Sequence, residues 1–316
     1  MALLLAVVAA LLLWLAGSLG SDVVISAAAR GFALPSPNLW FAGEPAAASW
    51  TNILLILAIS TAMIWINGRY NILRSFSVTF VGLFLLMMAA LPDVTLGFQG
   101  GTLLALAVLT GISLFYSSYN TPNRGSKRFF LTFAILAAGA LFQYGFAVFI
   151  PVFIIGLSQM HALRLRTLLA ALLGIITPLW LWWGLTPGEF PMPRIPQLDN
   201  PFEALGLYER IRFISTVGVT LFAGLILGSY NMVKIYSYNA RGRALNGLLT
   251  LVSVITGVAC VVDWTNVAFY VTLLNVCVAF QAGHFFHINI KSRTGYVTML
   301  VLAVIYTSLG IWSLIG

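Results

Sequence analysis

Charge is scarce in this chain. Asp, Glu, Lys and Arg make up 8% of its 316 residues, where a soluble domain carries about 25%. With 60% hydrophobic residues and a mean hydropathy of +0.99, such a chain aggregates in water, so its solvent is lipid. Acids are scarcer still, eight in all, and no intramembrane chain of them marks a proton path. There are only two cysteines, Cys260 and Cys277, each inside an apolar run. That excludes a disulfide framework and reads as two small core residues. The three histidines are too few and too scattered for a convincing metal site. Phosphate-binding, dinucleotide-binding, nucleophile-elbow and zinc-protease motifs are all missing.

What is present is a series of apolar runs. They lie at 2–19, 51–67, 75–92, 100–118, 129–142, 144–160, 167–185, 213–235, 247–263, 267–283 and 295–314, and each is expected to be a membrane-spanning helix. The fold class is therefore all-α: a polytopic transmembrane helix bundle of about eleven spans, one domain over residues 1–316. Several runs sit at the short end for crossing the hydrocarbon. The pair at 129–160 turns so tightly at Gln143, Tyr144 and Gly145 that one broken helix is the alternative. Residues 1–20 have the length of a cleaved leader, but no basic residue precedes the run and the cleavage-like site is poor. They read as the first span.

The net charge of +8 is explained by loops rather than by nucleic acid, which is not an expected partner. Twelve of the sixteen basic residues alternate onto one side: Arg69, Arg74, Arg124, Lys127, Arg128, Arg164, Arg166, Lys234, Arg241, Arg243, Lys291 and Arg293. All eight acids (Asp22, Glu44, Asp93, Glu189, Asp199, Glu203, Glu209 and Asp263) fall on the other, with Arg30, Arg194, Arg210 and Arg212. The positive-inside rule makes the basic side cytoplasmic. This predicts a multi-pass protein of a bacterial inner membrane, N-terminus cytoplasmic and C-terminus outside. Two outward segments, 20–50 and 186–212, are long enough for interfacial helices. In the second, Asp199, Asn200, Pro201 and Glu203 resemble a helix start, with Phe202, Leu205 and Tyr208 on one face.

Three carboxylates stand out as candidate general bases. Asp22 follows the first span, Asp93 ends the third, and Asp263 sits between Val262 and Trp264 at a membrane boundary. Each is weighed against a solvated helix end or an interfacial anchor. Candidate lipid-phosphate ligands are Arg194, Arg210 and Arg212 outside, and Arg124, Arg241 and Arg243 inside, where tyrosines interleave with arginines. His284 and His287, with Gln281 and Lys291, form a polar stripe that reads as a helix end reaching headgroups. Asn52, Asn231, Asn275, Gln143 and Gln281 are expected to tie helices together.

From Tyr119 to Trp183 the layout is distinctive. A basic loop is followed by Phe129-Phe130-Leu131, the aromatic turn Phe142-Gln143-Tyr144-Gly145, a span with Pro151, another basic loop, and Leu173-Gly174-Ile175-Ile176-Thr177-Pro178. With Asn67, Arg69 and Asn71 upstream, this resembles the uncharacterised DUF6427 family of polytopic proteins of Bacteroidota, which implies no particular activity. The layout is also similar to the membrane half of GT-C glycosyltransferases. That likeness implies a polyprenyl-phosphate sugar donor, an outward acid in the position of Asp22, often another in that of Asp93, and a divalent metal if the chain catalyses transfer. The chain departs from that pattern in its short first loop, the lack of paired acids and the lack of a large soluble domain. The expected role is handling of lipid-linked envelope glycoconjugate precursors, with membrane lipids and a lipid-linked sugar as partners. A non-catalytic subunit docking other envelope proteins and a small-solute transporter are the alternatives.

Overall fold

A computed structural model describes residues 1–18, 31–41, 43–73, 78–120, 122–185, 205–235, 239–290 and 292–315. The described residues are helical throughout, with no strand. The helices are α1 (Ala2–Ser18), α2 (Pro45–Tyr70), α3 (Thr79–Ala89), α4 (Pro92–Thr95), α5 (Gly100–Tyr116), α6 (Pro122–Phe142), α7 (Phe149–Gln159), α8 (Leu165–Leu185), α9 (Leu207–Ile235), α10 (Ala240–Val262), α11 (Val267–Ile288) and α12 (Arg293–Ile315). Seven helices are long and apolar enough to cross a membrane, those at Pro45–Tyr70, Gly125–Phe142, Leu165–Leu185, Leu207–Lys234, Ala240–Val262, Trp264–Ile288 and Arg293–Ile315. Four more apolar helices are shorter.

Helix α11 is the axis of the bundle. It is buried over nearly its whole length by α3, α5, α9, α10 and α12, as expected for a helix at the centre of a bundle. Apart from the single turn of α4, the shortest helices, α3 and α7, span 11 residues each, about 16 Å at 1.5 Å per residue. Most of α3 is buried against protein, so its length need not match the hydrocarbon thickness. By contrast α1, α8 and α12 expose leucine, isoleucine and tryptophan along much of their surface, the composition a lipid-facing wall requires.

Close backbone approach holds the helices together. A Cβ on Gly174 of α8 would lie 2.5 Å from the Phe130 carbonyl oxygen of α6. A Cβ on Gly101 of α5 would lie 2.3 Å from the Phe269 carbonyl oxygen of α11. Only glycine fits either contact, as small residues do wherever helices in lipid associate by packing.

The stretch 129–160 is two helices. Gln143 is extended (φ −154°, ψ 119°), a 3₁₀ turn covers Tyr144–Phe146, and α7 then runs back. The Asn120 amide N–H donates to the Met160 carbonyl, which brings the start of α6 beside the end of α7.

The chain has two distinct ends. Glu44, Asp93, Glu209 and Asp263, the acids among the described residues, gather at one with Arg210 and Arg212. Arg69, Lys127, Arg128, Arg164, Arg166, Lys234, Arg241, Arg243 and Arg293 lie at the other. Segment 31–41 lies over the acidic end. Its Phe32 and Leu34 amides donate to Ala140 and Leu141 carbonyls, and Trp40 stacks on Phe98 and meets Phe142 edge-on. Of the two outward segments read from sequence, 45–50 belongs to α2, Pro37–Leu39 is a 3₁₀ turn, and Tyr208 is already inside α9. The helix start at Asp199–Glu203 lies outside the described residues.

Candidate functional site at the acidic end

Three turns converge beneath segment 31–41: the start of α5, the α6–α7 turn and the α10–α11 turn. Asp263 caps the last of these and is half-buried. Its carboxylate accepts four side-chain donors from three positions of the fold. Tyr144 donates to Oδ1 and Oδ2 at 3.0 and 2.9 Å. Tyr270 of α11 donates to Oδ2 at 3.0 Å. Asn266 Nδ2 donates to Oδ1 at 2.8 Å, and the Thr265 hydroxyl lies 3.3 Å from Oδ1. Asn266 also donates to the Tyr144 hydroxyl. Gly145 makes this possible, because a Cβ there would meet the Phe269 ring at 2.4 Å and the Tyr270 hydroxyl at 2.9 Å. A carboxyl group so supplied with donors is held in one orientation. Its oxygens can also accept a further hydrogen bond through whichever lone pair a donor vacates.

Beside it, Gln143 is fully buried, and neither its Oε1 nor its Nε2 has a hydrogen-bond partner. Its amide presses on the start of α5, where a Gly100 Cβ would lie 2.2 Å from Oε1. Orphaned buried polar atoms cost about 1–3 kcal/mol each. Gln143→Met keeps the volume and removes both, so the variant should be more stable than the parent by about 1–3 kcal/mol. Denaturant melts in detergent check this; a less stable variant would mean the amide has a partner in the membrane.

Asp93 occupies a different part of the same end. It lies in the first turn of α4, buried, and takes a 2.6 Å ion pair from Arg212 of α9. The second guanidinium nitrogen reaches the Ser313 carbonyl of α12 at 3.4 Å. Burial pushes the Asp93 carboxyl up from its ordinary value, and Arg212 opposes that shift without cancelling it. The α4 turn is itself held by Asn52 of α2, whose Nδ2 donates to the Val94 and Thr95 carbonyls at 3.0 and 2.9 Å.

The sequence candidates therefore separate. Asp93 and Arg212, read independently as a base and a phosphate ligand, bind each other. Arg210 donates to the Leu205 carbonyl at 3.1 Å. Asp263 stands apart with its tyrosines. Asp22 and Arg194 lie outside the described residues. Arg124 starts α6, while Arg241 and Arg243 are exposed on the first turn of α10 at the opposite end. Tyr144, Tyr270 and Asn266 were not anticipated as site residues. The turn Gln143-Tyr144-Gly145 was the only signal, and its link to position 263 requires the topology.

A divalent metal does not suit the residues in view. Asp263 is occupied by neutral donors and Asp93 by a guanidinium. Among the described residues no group of three or more His, Cys, Asp or Glu side chains gathers.

His284 of α11 differs from its expected role, while Asn231 and Gln281 tie helices together as expected. His284 is buried, with Nε2 2.6 Å from Asn246 Oδ1 of α10. Asn231 of α9 donates through Nδ2 to the Gln281 carbonyl and Oε1 at 2.9 and 2.8 Å. These side chains face each other between helices instead of reaching outward, which satisfies groups that lipid could not.

No protein-family model, curated protein or solved structure matches the chain.

Proposed function

We propose that this is a multi-pass protein of a bacterial inner membrane that binds a lipid-linked envelope precursor, a polyprenyl phosphate bearing a sugar, at its acidic end. In this reading all eleven apolar segments cross, the basic end is cytoplasmic, the N-terminus lies inside and the C-terminus outside. The likeness to GT-C enzymes and to DUF6427 proteins belongs to the same proposal.

The observation that carries it is the Asp263 constellation. A half-buried carboxylate fixed by Tyr144, Tyr270 and Asn266 offers aromatic faces and hydroxyl-accepting oxygens, the chemistry that selects a sugar at an interface. Asp263→Asn replaces an acceptor by a mixed donor and acceptor, so the two tyrosine hydroxyls lose their charged partner. The variant should bind a short-chain polyprenyl-phosphate sugar about tenfold more weakly or worse, a hydrogen bond to a charged group being worth about 1.5–3 kcal/mol. Equal affinity of variant and parent in a titration of the purified proteins would remove Asp263 from the site.

A second reading, a non-catalytic subunit of an envelope assembly, draws support from the same geometry. Asp93 and Asp263 both have partners that join separate helices, as structural latches do. It predicts that Asp263→Asn loses stability and leaves precursor binding absent in both proteins.

A further inference from the structure

Segment 31–41 is anchored to the acidic end at two places. The Phe32, Ala33 and Leu34 amides donate to the Ala140 and Leu141 carbonyls, which α6 cannot use within its own last turn. Asn38 Oδ1 accepts from the Gly100 amide at 2.7 Å, at the start of α5, and Trp40 and Phe41 rest on Phe98 beside it. Gly31 lies so close to the end of α6 that a Cβ there would overlap the Leu141 carbonyl. The segment has no charged residue, exposes Leu39 and Trp40 on its outer side, and is stiffened by Pro35 and Pro37. It can move as one strip without carrying charge across the interface.

Gln143 sits between the two anchors. Its neighbours Leu141 and Phe142 touch the segment, and its Oε1 faces Gly100, the residue bonded to Asn38. Gln143 is 0% exposed, and neither amide atom has a partner. Ser36 Oγ, on the segment itself, is buried without one as well. Closure therefore costs the hydration of three polar atoms and returns no hydrogen bond for any of them. Lifting the segment restores that hydration. The closed form is held by the amide bonds, Asn38 and aromatic packing, and is opposed by the polar atoms it hides.

We propose that segment 31–41 is a gate, opened by local release of its two anchors, which uncovers Gln143 next to Tyr144. The Gln143 amide both donates and accepts, so opening adds a mixed hydrogen-bonding group to the Asp263 constellation. Ligand entry then follows gate opening, as it does under lids in general. The gate is a property of the chain itself; that it admits a lipid-linked sugar rests on the reading of Asp263 above.

Hydrogen–deuterium exchange of the full-length protein in neutral detergent, read by peptide mass spectrometry, tests the gate without any ligand. The Phe32, Ala33 and Leu34 amides should exchange together and far faster than those of α11, which open only with the whole fold. Gln143 makes no hydrogen bond to the segment, so a loop that merely frays would not respond to Gln143→Met. A gate should then exchange about tenfold more slowly, because hydration of the amide no longer favours opening. Gly31→Val should speed exchange about tenfold, since the added branches have no room in the closed form. Should Gly31→Val fail to fold, Asn38→Ala removes the bond to Gly100 and should speed exchange in the same sense. Phe32–Leu34 amides as slow as those of α11, or exchange unchanged by Gln143→Met, would overturn the proposal. Association of a short-chain polyprenyl-phosphate sugar, measured on the same proteins, should slow in Gln143→Met and quicken in Gly31→Val. Exchange that responds as expected while the sugar binds none of the proteins would keep the gate and remove the Asp263 reading.

Discussion

Arg212→Ala should destabilise the protein by about 3–5 kcal/mol, the cost of stranding a buried charge. Asp93 is buried, and Arg212 is its ion-pair partner. Deleting the guanidinium leaves the carboxyl either ionised without compensation or protonated in a pocket shaped for an ion. It also frees the Ser313 carbonyl of α12 and loosens the contact of α9 with the α4 turn. The pair is expected to be a device of specificity more than of net stability, because burial raises the Asp93 carboxyl despite the guanidinium. The double variant Asp93→Leu with Arg212→Met should therefore recover most of the loss. Unfolding midpoints of the three variants in detergent check both statements. A shift below about 1 kcal/mol for Arg212→Ala would place the pair among solvent-screened contacts.

Gly101→Leu should be the next most damaging substitution. The position where a Cβ would stand is 2.3 Å from the Phe269 carbonyl oxygen, a backbone atom that no rotamer change can move. Either α5 and α11 separate or the α11 start, with Tyr270 on it, shifts. Overpacking of this kind costs about 1–3 kcal/mol and occasionally more. The shift also disturbs the Asp263 constellation, so loss of precursor binding should accompany the loss of stability. Gly218→Leu is the control, because a Cβ there meets nothing within 4 Å. Similar melts for the two variants would mean that α5 and α11 do not approach so closely.

The helices were legible because lipid leaves so few options. Apolar runs of the right length have only helix open to them, and each of the eleven runs holds one. The split of charge between the ends was legible for the same reason, since charged loops alternate while the spans stay apolar. Helix lengths were harder. α3 is shorter than its apolar run where protein buries it, and α7 is shorter because the 3₁₀ turn at Tyr144–Phe146 takes the start of its run; hydropathy distinguishes neither case. Tyr208 was expected on a surface helix and lies in α9, because Leu207–Arg212 continues the span without a breaker.

The site was legible only in its parts. Asp93, Asp263 and Arg212 were each singled out for being ionisable at a boundary. That Arg212 answers Asp93, and Tyr144 answers Asp263, depends in both cases on a separation of 119 residues that periodicity and spacing do not encode. His284 shows the reverse failure. Its position near a helix end suggested headgroups, whereas α10 carries Asn246 at the depth needed to bury it; Gln281, expected to tie helices, does so through Asn231.

Native mass spectrometry of the gently purified protein, with extraction and identification of whatever lipid stays bound, tests the central claim most directly. The account predicts a retained polyprenyl phosphate or lipid-linked sugar, lost on Asp263→Asn. Bulk phospholipid alone, with a co-purifying protein bound to the complex, would contradict it and leave Asp93 and Asp263 as latches of a scaffold.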